Sequence, residues 1–223
     1  MATIQIIDNI RLSWKGLQTK DSNNQWGNVH KQQGDLDGAC SIYSLVMAML
    51  CQKMITEEDI QILKSPDRRT PKGKFLYEQG LVHDGYNYTA LAREINEQPF
   101  EIIATHKRPR SNANRIELIE QFISQNIPVI ISTDFNGGTH ALLAIGIETN
   151  EHDIITKIFC FDPGASAPKV SQWNCFIDVS KEGDTHYPFY YVTEIDSYKV
   201  TLNDMLILSL IHISEPTRHL RIS

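Results

Sequence analysis

The chain has 223 residues, of which 41% are apolar and 22% charged, and a formal charge of -6; that length fills one core, or at most two small ones, in a soluble globular protein. The acidic balance argues against nucleic acid as a partner, because the one basic cluster, Lys107-Arg108-Pro109-Arg110, reads as a solvated loop. No membrane is expected as a partner either, since the longest apolar stretch, 205–213, is far short of the roughly 20 residues a span needs.

Residues 1–30 carry short apolar pieces separated by Asn, Ser and Gly, which predict a strand or arm followed by loops. At Cys40 a Gly-containing turn gives way to a helix. Ile42, Leu45, Val46, Met49 and Leu50 recur at helical spacing over 41–51 and predict a buried stripe. Thr56-Glu57-Glu58-Asp59 predicts a second, short helix with Thr56 as cap and acids in its first turn. The stretch 65–85, rich in Pro, Gly and charge, predicts a loop bordering a cleft. A helix is expected over 88–95, a strand over 101–105 and a helix over 116–124. Four β-branched or aromatic runs then follow, at 128–133, 140–147, 154–161 and 189–195, bounded by Gly, Asn, Asp and Pro. Helices first and strands later, without βαβ alternation, predict an α+β fold with an antiparallel sheet.

The chemistry-bearing residues start with the four cysteines, Cys40, Cys51, Cys160 and Cys175. Their spacing gives neither a paired metal half-site nor a disulfide framework. Residues 1–8 are too short, and too soon followed by charge, for a secretory signal. The expected setting is therefore reducing and cytoplasmic, where Cys40 stays a free thiol. A cysteine at a helix start is favoured as thiolate, because the first-turn N–H groups can lower its pKa by about a unit or more. Cys51, three turns on, reads as a small packing residue and Cys160 as a buried strand residue. Cys175 has no histidine at a suggestive place. A zinc site from Cys160, Cys175 and His186 has no recognised spacing.

A nucleophilic thiol needs a base, a group to orient that base and donors for the oxyanion. Among eight histidines, His140 follows Asn136-Gly137-Gly138-Thr139 and opens an apolar strand, so it can face a cleft while the core anchors its strand. A partly exposed turn histidine is the alternative. A hairpin between 140–147 and 154–161 would bring the start of one strand beside the end of the other, where Asp162-Pro163-Gly164 stands. Asp162 can then orient His140, or can simply make the turn. The Cys40 N–H is one oxyanion donor. The Gln33 amide is a second, with Gln32 its competitor.

On these residues the chain resembles the papain-like cysteine peptidase superfamily, most closely its bacteriocin-leader-peptidase-like, or C39-like, branch. The order Gln33, Cys40, His140, Asp162 matches, as does an Asp followed by Pro some twenty residues after a histidine that begins a hydrophobic strand. Gln33-Gly34-Asp35-Leu36 is also similar to the calpain-type motif. The family pattern has five residues between Gln and Cys, whereas Gln33 and Cys40 enclose six. The resemblance spans roughly 33–164. It implies a papain-like arrangement with an N-terminal helical lobe, its nucleophile helix packed on a C-terminal antiparallel sheet, and 1–205 as one domain in two lobes.

The implied activity is that of a cysteine peptidase acting on a peptide or isopeptide bond through a thioester, with no metal or organic cofactor. Its partner would be a peptide or protein substrate, with Gly-Gly or a small residue before the scissile bond as the family expectation. The same groups also serve a transglutaminase or deamidase, or stand unused in a peptide-binding module on this fold. The end of the chain reads differently. Leu-Ser-Leu-Ile-His-Ile-Ser-Glu-Pro-Thr-Arg, at 208–218, resembles translated sequencing-adapter read-through. On that reading 206–223 is a non-native tail, and the alternative is a genuine C-terminal helix or strand.

Overall fold

A computed structural model describes residues 1–34, 39–60, 70–80 and 87–210. The β-branched runs of the second half form β6 (Val129–Phe135), β7 (Gly138–Thr149), β8 (Ile155–Phe161) and β10 (Phe189–Thr193). Two strands outside the predicted set join them, β9 (Cys175–Asp178) and β11 (Ser197–Leu210). Each strand from β6 to β11 pairs antiparallel with the next, and β11 returns to pair with β6. The expected sheet is therefore a closed barrel. Closure removes the exposed edges that an open sheet would present.

The long strands β7 and β11 each reach past the ring to hold one more strand. β1 (Thr3–Ile6) pairs with β7, and β5 (Ile102–Lys107) pairs with β11. The sequence hides β11 because Asn203 and Asp204 interrupt its apolar run where the register shifts, between Leu202 and Met205. Such a bulge breaks the period-2 pattern by which a strand is recognised. Leu206, Ile207 and Leu208 are buried in this strand, so the boundary placed at 205 falls inside β11. Residues 211–223 of the expected tail lie outside the described residues.

The first half is not purely helical. A three-stranded antiparallel sheet, β2 (Ile10–Ser13), β3 (Gly16–Lys20) and β4 (Trp26–Asn28), stands where loops were expected. Its strands are short and broken by tight turns, which leaves little alternation to read. α1 (Cys40–Cys51) is buried on almost every side, from Ser41 and Ile42 to Leu50 and Cys51. It packs on β6 and β7 of the barrel, on β3, and on α2 (Pro71–Gly80). Leu45 and Met49 are fully or nearly fully buried in it, and each such side chain contributes about 1.5–3 kcal/mol. Ser44 Oγ donates to the Ala141 carbonyl at 3.3 Å and so ties α1 to β7.

α2 lies in the stretch expected to be a loop. Thr70 caps it, with Gly73 N donating to Thr70 Oγ1 at 3.0 Å. Pro71 takes the first helical position, where its missing N–H costs nothing. Residues 61–69 and 81–86 of that expected loop lie outside the described residues. The short helix expected at Thr56 is a turn instead. Thr56 N donates to Asp59 Oδ2 at 2.7 Å and Asp59 N to Thr56 Oγ1 at 3.3 Å. This is the reciprocal pattern of a capping box, formed without a helix within 56–60. α3 (Tyr88–Asn96), capped by Asn87, packs on β5, and α4 (Asn112–Ser124), capped by Ser111, packs on β7 and β11.

Candidate active site

The site begins with a hairpin. Phe135 and Gly138 form the last pair of β6 and β7, leaving Asn136-Gly137 as a two-residue turn. Gly137 has φ +118°, a conformation that favours glycine and suits tight hairpins. His140 sits two residues into β7, opposite Thr133. On the other edge of β7, Leu143 pairs with Phe161 at the end of β8, which carries Asp162 alongside. His140 Nε2 lies 2.6 Å from Asp162 Oδ1.

Asp162 is 4% exposed, and its oxygens are occupied. Oδ1 also accepts from Gly164 N at 2.6 Å, and Oδ2 accepts from the Tyr191 hydroxyl. Asn174 clamps the backbone of the same residue, accepting from Asp162 N at 2.7 Å and donating to its carbonyl at 2.9 Å. His30 Nε2 lies 2.9 Å from that carbonyl. Burial raises the carboxyl's pKa, but the bond and charge of His140, with Tyr191 and Gly164, outweigh it and hold Asp162 below the usual carboxylate range.

Cys40 is the first residue of α1, and Ala39 supplies no side-chain cap there. His140, the Ala141 backbone and Ser41 all bear on the thiol and favour its charged form. Asp162 holds Nε2 of His140, so Nδ1 is the ring nitrogen left for sulfur. Burial would push the thiol up, yet the hydrogen bond and charge of His140 outweigh it and hold Cys40 below its ordinary value. Burial likewise disfavours the charged ring, but Asp162 and Cys40 together lift the pKa of His140 to about 10. Both shifts favour the charged forms, thiolate and imidazolium.

Gln33 reaches the same neighbourhood by its backbone, with its N–H donating to the Pro163 carbonyl at 2.9 Å. Its side-chain oxygen is buried without a hydrogen-bond partner among the described residues, while Gln32 is exposed. Residues 35–38, between Gln33 and α1, lie outside the described residues. Cys51, Cys160 and Cys175 are buried free thiols, and burial pushes Cys51 and Cys175 well up. Cys160 and Cys175 face each other across β8 and β9. No group of three or more His, Cys, Asp and Glu side chains placed to hold a metal occurs among the described residues. No helix among them is long and apolar enough to cross a membrane.

Sequence reasoning missed Tyr191 and Asn174. Tyr191 looks like any aromatic strand residue, and Asn174 like any loop amide. The barrel brings them to Asp162 from 29 and 12 positions away, and no local pattern signals that. A cleft of about 640 Å³ opens at the β6–β7 hairpin end, lined in part by Phe135, Tyr187 and Tyr198. Tyr198 stacks on Tyr191 with ring centroids 4.7 Å apart, so this cleft backs onto the support of Asp162 rather than onto the thiol.

Fold and site together define an α+β protein with a closed antiparallel barrel and a Cys–His–Asp constellation at the head of a buried helix. No family model matches the chain. No curated protein matches it either. Among solved structures it is similar to the crystal structure of UfSP from C. elegans, at 12% identity and a TM-score of 0.47 over 93% of this chain. The match takes in 34% of that structure's chain, so this chain spans about a third of its length.

Proposed function

We propose that this chain is a cysteine peptidase of the papain-like superfamily and its C39-like branch, hydrolysing a peptide or isopeptide bond through a thioester. The observation that carries this reading is the pair of hydrogen bonds by which Tyr191 and His140 meet on Asp162, with Cys40 raising the pKa of the same ring. Thiolate and imidazolium are the reactive form of such a pair. Cys40 Sγ attacks the carbonyl carbon, and the carbonyl electron pair moves onto oxygen. The Cys40 N–H and the Gln33 amide receive that charge. As the carbonyl re-forms, the carbon–nitrogen bond breaks and the leaving amine takes the proton of His140. Water then attacks the thioester, with His140 as base, and releases the acid and the thiol. Asp162 holds the ring in the tautomer and orientation both steps require.

The partner is a peptide or protein, with a small residue such as Gly before the scissile bond, and a reducing, cytoplasmic setting keeps Cys40 free. The test is mass spectrometry after exposure to a peptidyl vinyl sulfone, comparing the parent with Cys40→Ala and His140→Ala. Labelling is expected at Cys40 alone and at least about tenfold slower without His140. Equal labelling of Cys51 or Cys175, or indifference to His140, would sink the mechanism. Peptides ending in Gly-Gly before the cleaved bond, incubated with and without a primary amine, separate hydrolysis from transfer.

A further inference from the structure

The cleft at the β6–β7 hairpin end stands outside the mechanism above. Its volume of about 640 Å³ falls in the range of roughly 300–1,000 Å³ typical of ligand sites. Three rings line it: Phe135 from the hairpin, Tyr198 from β11, and Tyr187 from the loop between β9 and β10. The Phe135 and Tyr198 centroids are 5.3 Å apart with the rings tilted by 53°, so the two form a corner rather than a closed stack. Phe135 lies close over its hairpin, where a Cβ at Gly138 would stand 3.3 Å from its Cζ. Tyr187 is held by Asp184, whose Oδ1 accepts from Tyr187 N at 2.7 Å and from His186 N at 3.0 Å. Tyr198 is held from behind by its stack on the buried Tyr191.

Charge decides what fits there. Asp184, Asp196 and Lys199 line the same cleft. Lys199 Nζ donates to Asp184 Oδ2 at 3.2 Å, and the charges of that pair cancel. The Asp196 carboxylate accepts from the neighbouring Ser197 N–H at 2.8 Å and has no ion-pair partner among the described residues. The cleft therefore offers electron-rich ring faces and one uncommitted carboxylate, a combination that attracts a cation. A guanidinium suits it better than an ammonium, because its flat face can lie on a ring while its edge donates to a carboxylate. We propose that this cleft binds an arginine side chain of a peptide partner, the guanidinium lying against Phe135 and Tyr198 and donating to Asp196. This binding role goes beyond the peptidase reading and does not depend on it.

The test is an NMR titration of the full chain with acetyl-Gly-Arg-Gly-amide, and with the same peptide carrying citrulline, which keeps the shape of arginine without its charge. The arginine peptide should shift the ring protons of Phe135, Tyr187 and Tyr198, and the citrulline peptide should bind about tenfold or more weakly. Asp196→Asn keeps an acceptor for Ser197 N and should weaken the arginine peptide about tenfold. Tyr198→Leu should weaken it about threefold. Equal binding of the citrulline peptide, unchanged affinity in Asp196→Asn, or shifts confined to other surfaces would overturn the inference. A lysine peptide bound as tightly would overturn the choice of guanidinium. Free argininamide bound as tightly as the peptide would assign the cleft to a small molecule and overturn the peptide partner. The citrulline comparison uses the parent alone, so it refutes or supports the inference even where a variant folds poorly. Labelling of Cys40 decides the peptidase reading separately.

Discussion

Asp162→Asn tests the charge pair directly. Asparagine keeps the volume and one carbonyl oxygen, which can still accept from Tyr191. Its other end is an NH2 group, set against the two donors that share Oδ1, His140 Nε2–H and Gly164 N–H, each at 2.6 Å. Donors facing donors remove the acceptor that favours a charged ring. The ring's pKa stands at about 10 against an ordinary 6.5, which is about 5 kcal/mol of preference for the charged form at roughly 1.4 kcal/mol per unit. Asp162 and Cys40 share that preference. A hydrogen bond to a charged group contributes about 1.5–3 kcal/mol, so losing Asp162 should lower the ring's pKa by about 1–2 units. The ratio of thiolate–imidazolium to thiol–imidazole then falls about ten- to a hundred-fold. NMR titration of the His140 ring protons is the assay. The midpoint should move from about 10 in the parent to about 8–9 in the variant. The ring then loses its proton earlier as pH rises, and iodoacetamide alkylation at neutral pH slows by up to the same factor. A midpoint that stays put would refute the assignment of Asp162 as the support of the ring.

Two further predictions concern the scaffold. A Cβ at Gly146 would stand 2.3 Å from Ile6 Cδ1 and 2.5 Å from the Gln5 carbonyl oxygen. Gly146→Ala should therefore push β1 off β7, lowering the denaturation midpoint by an amount worth about 1–3 kcal/mol and speeding amide exchange across β1. Unchanged exchange there would count against that account. Ending the chain at Met205 removes Leu206, Ile207 and Leu208, which are 0%, 2% and 1% exposed. At about 1.5–3 kcal/mol apiece, with the pairing to β5 and β6 lost as well, the loss rivals a typical total stability of about 5–15 kcal/mol. The shortened chain should show no cooperative melt, and a soluble 1–205 fragment with a sharp transition would contradict the role given to β11.

The legible parts of this molecule were those written in local patterns. Cys40 at a turn-to-helix junction, the Asn and Gly that bound the run opened by His140, and the β-branched runs of β6, β7 and β8 each carry their own signal. Together they suffice to set His140 beside Asp162, because an antiparallel hairpin brings the start of one strand to the end of the next. α2 had a signal too, in Thr70-Pro71, but the glycine and charge around it spoke for a loop. The burial of Phe75 and Leu76, which favours the helix, comes from packing and not from composition.

What the sequence by itself determined about this protein is the placing of Cys40 at a helix start, of His140 at a strand start, and of the strand pair that sets His140 beside Asp162. Only the tertiary structure decided that the sheet closes, that β11 closes it, and that Tyr191 and Asn174 hold Asp162. The reason is the range of the interactions. Helical and strand periods, caps and turns act between residues a few positions apart. Barrel closure links β6 to β11 across some seventy positions, and the groups that hold Asp162 and face Cys40 meet only once that ring and its covering helices have formed.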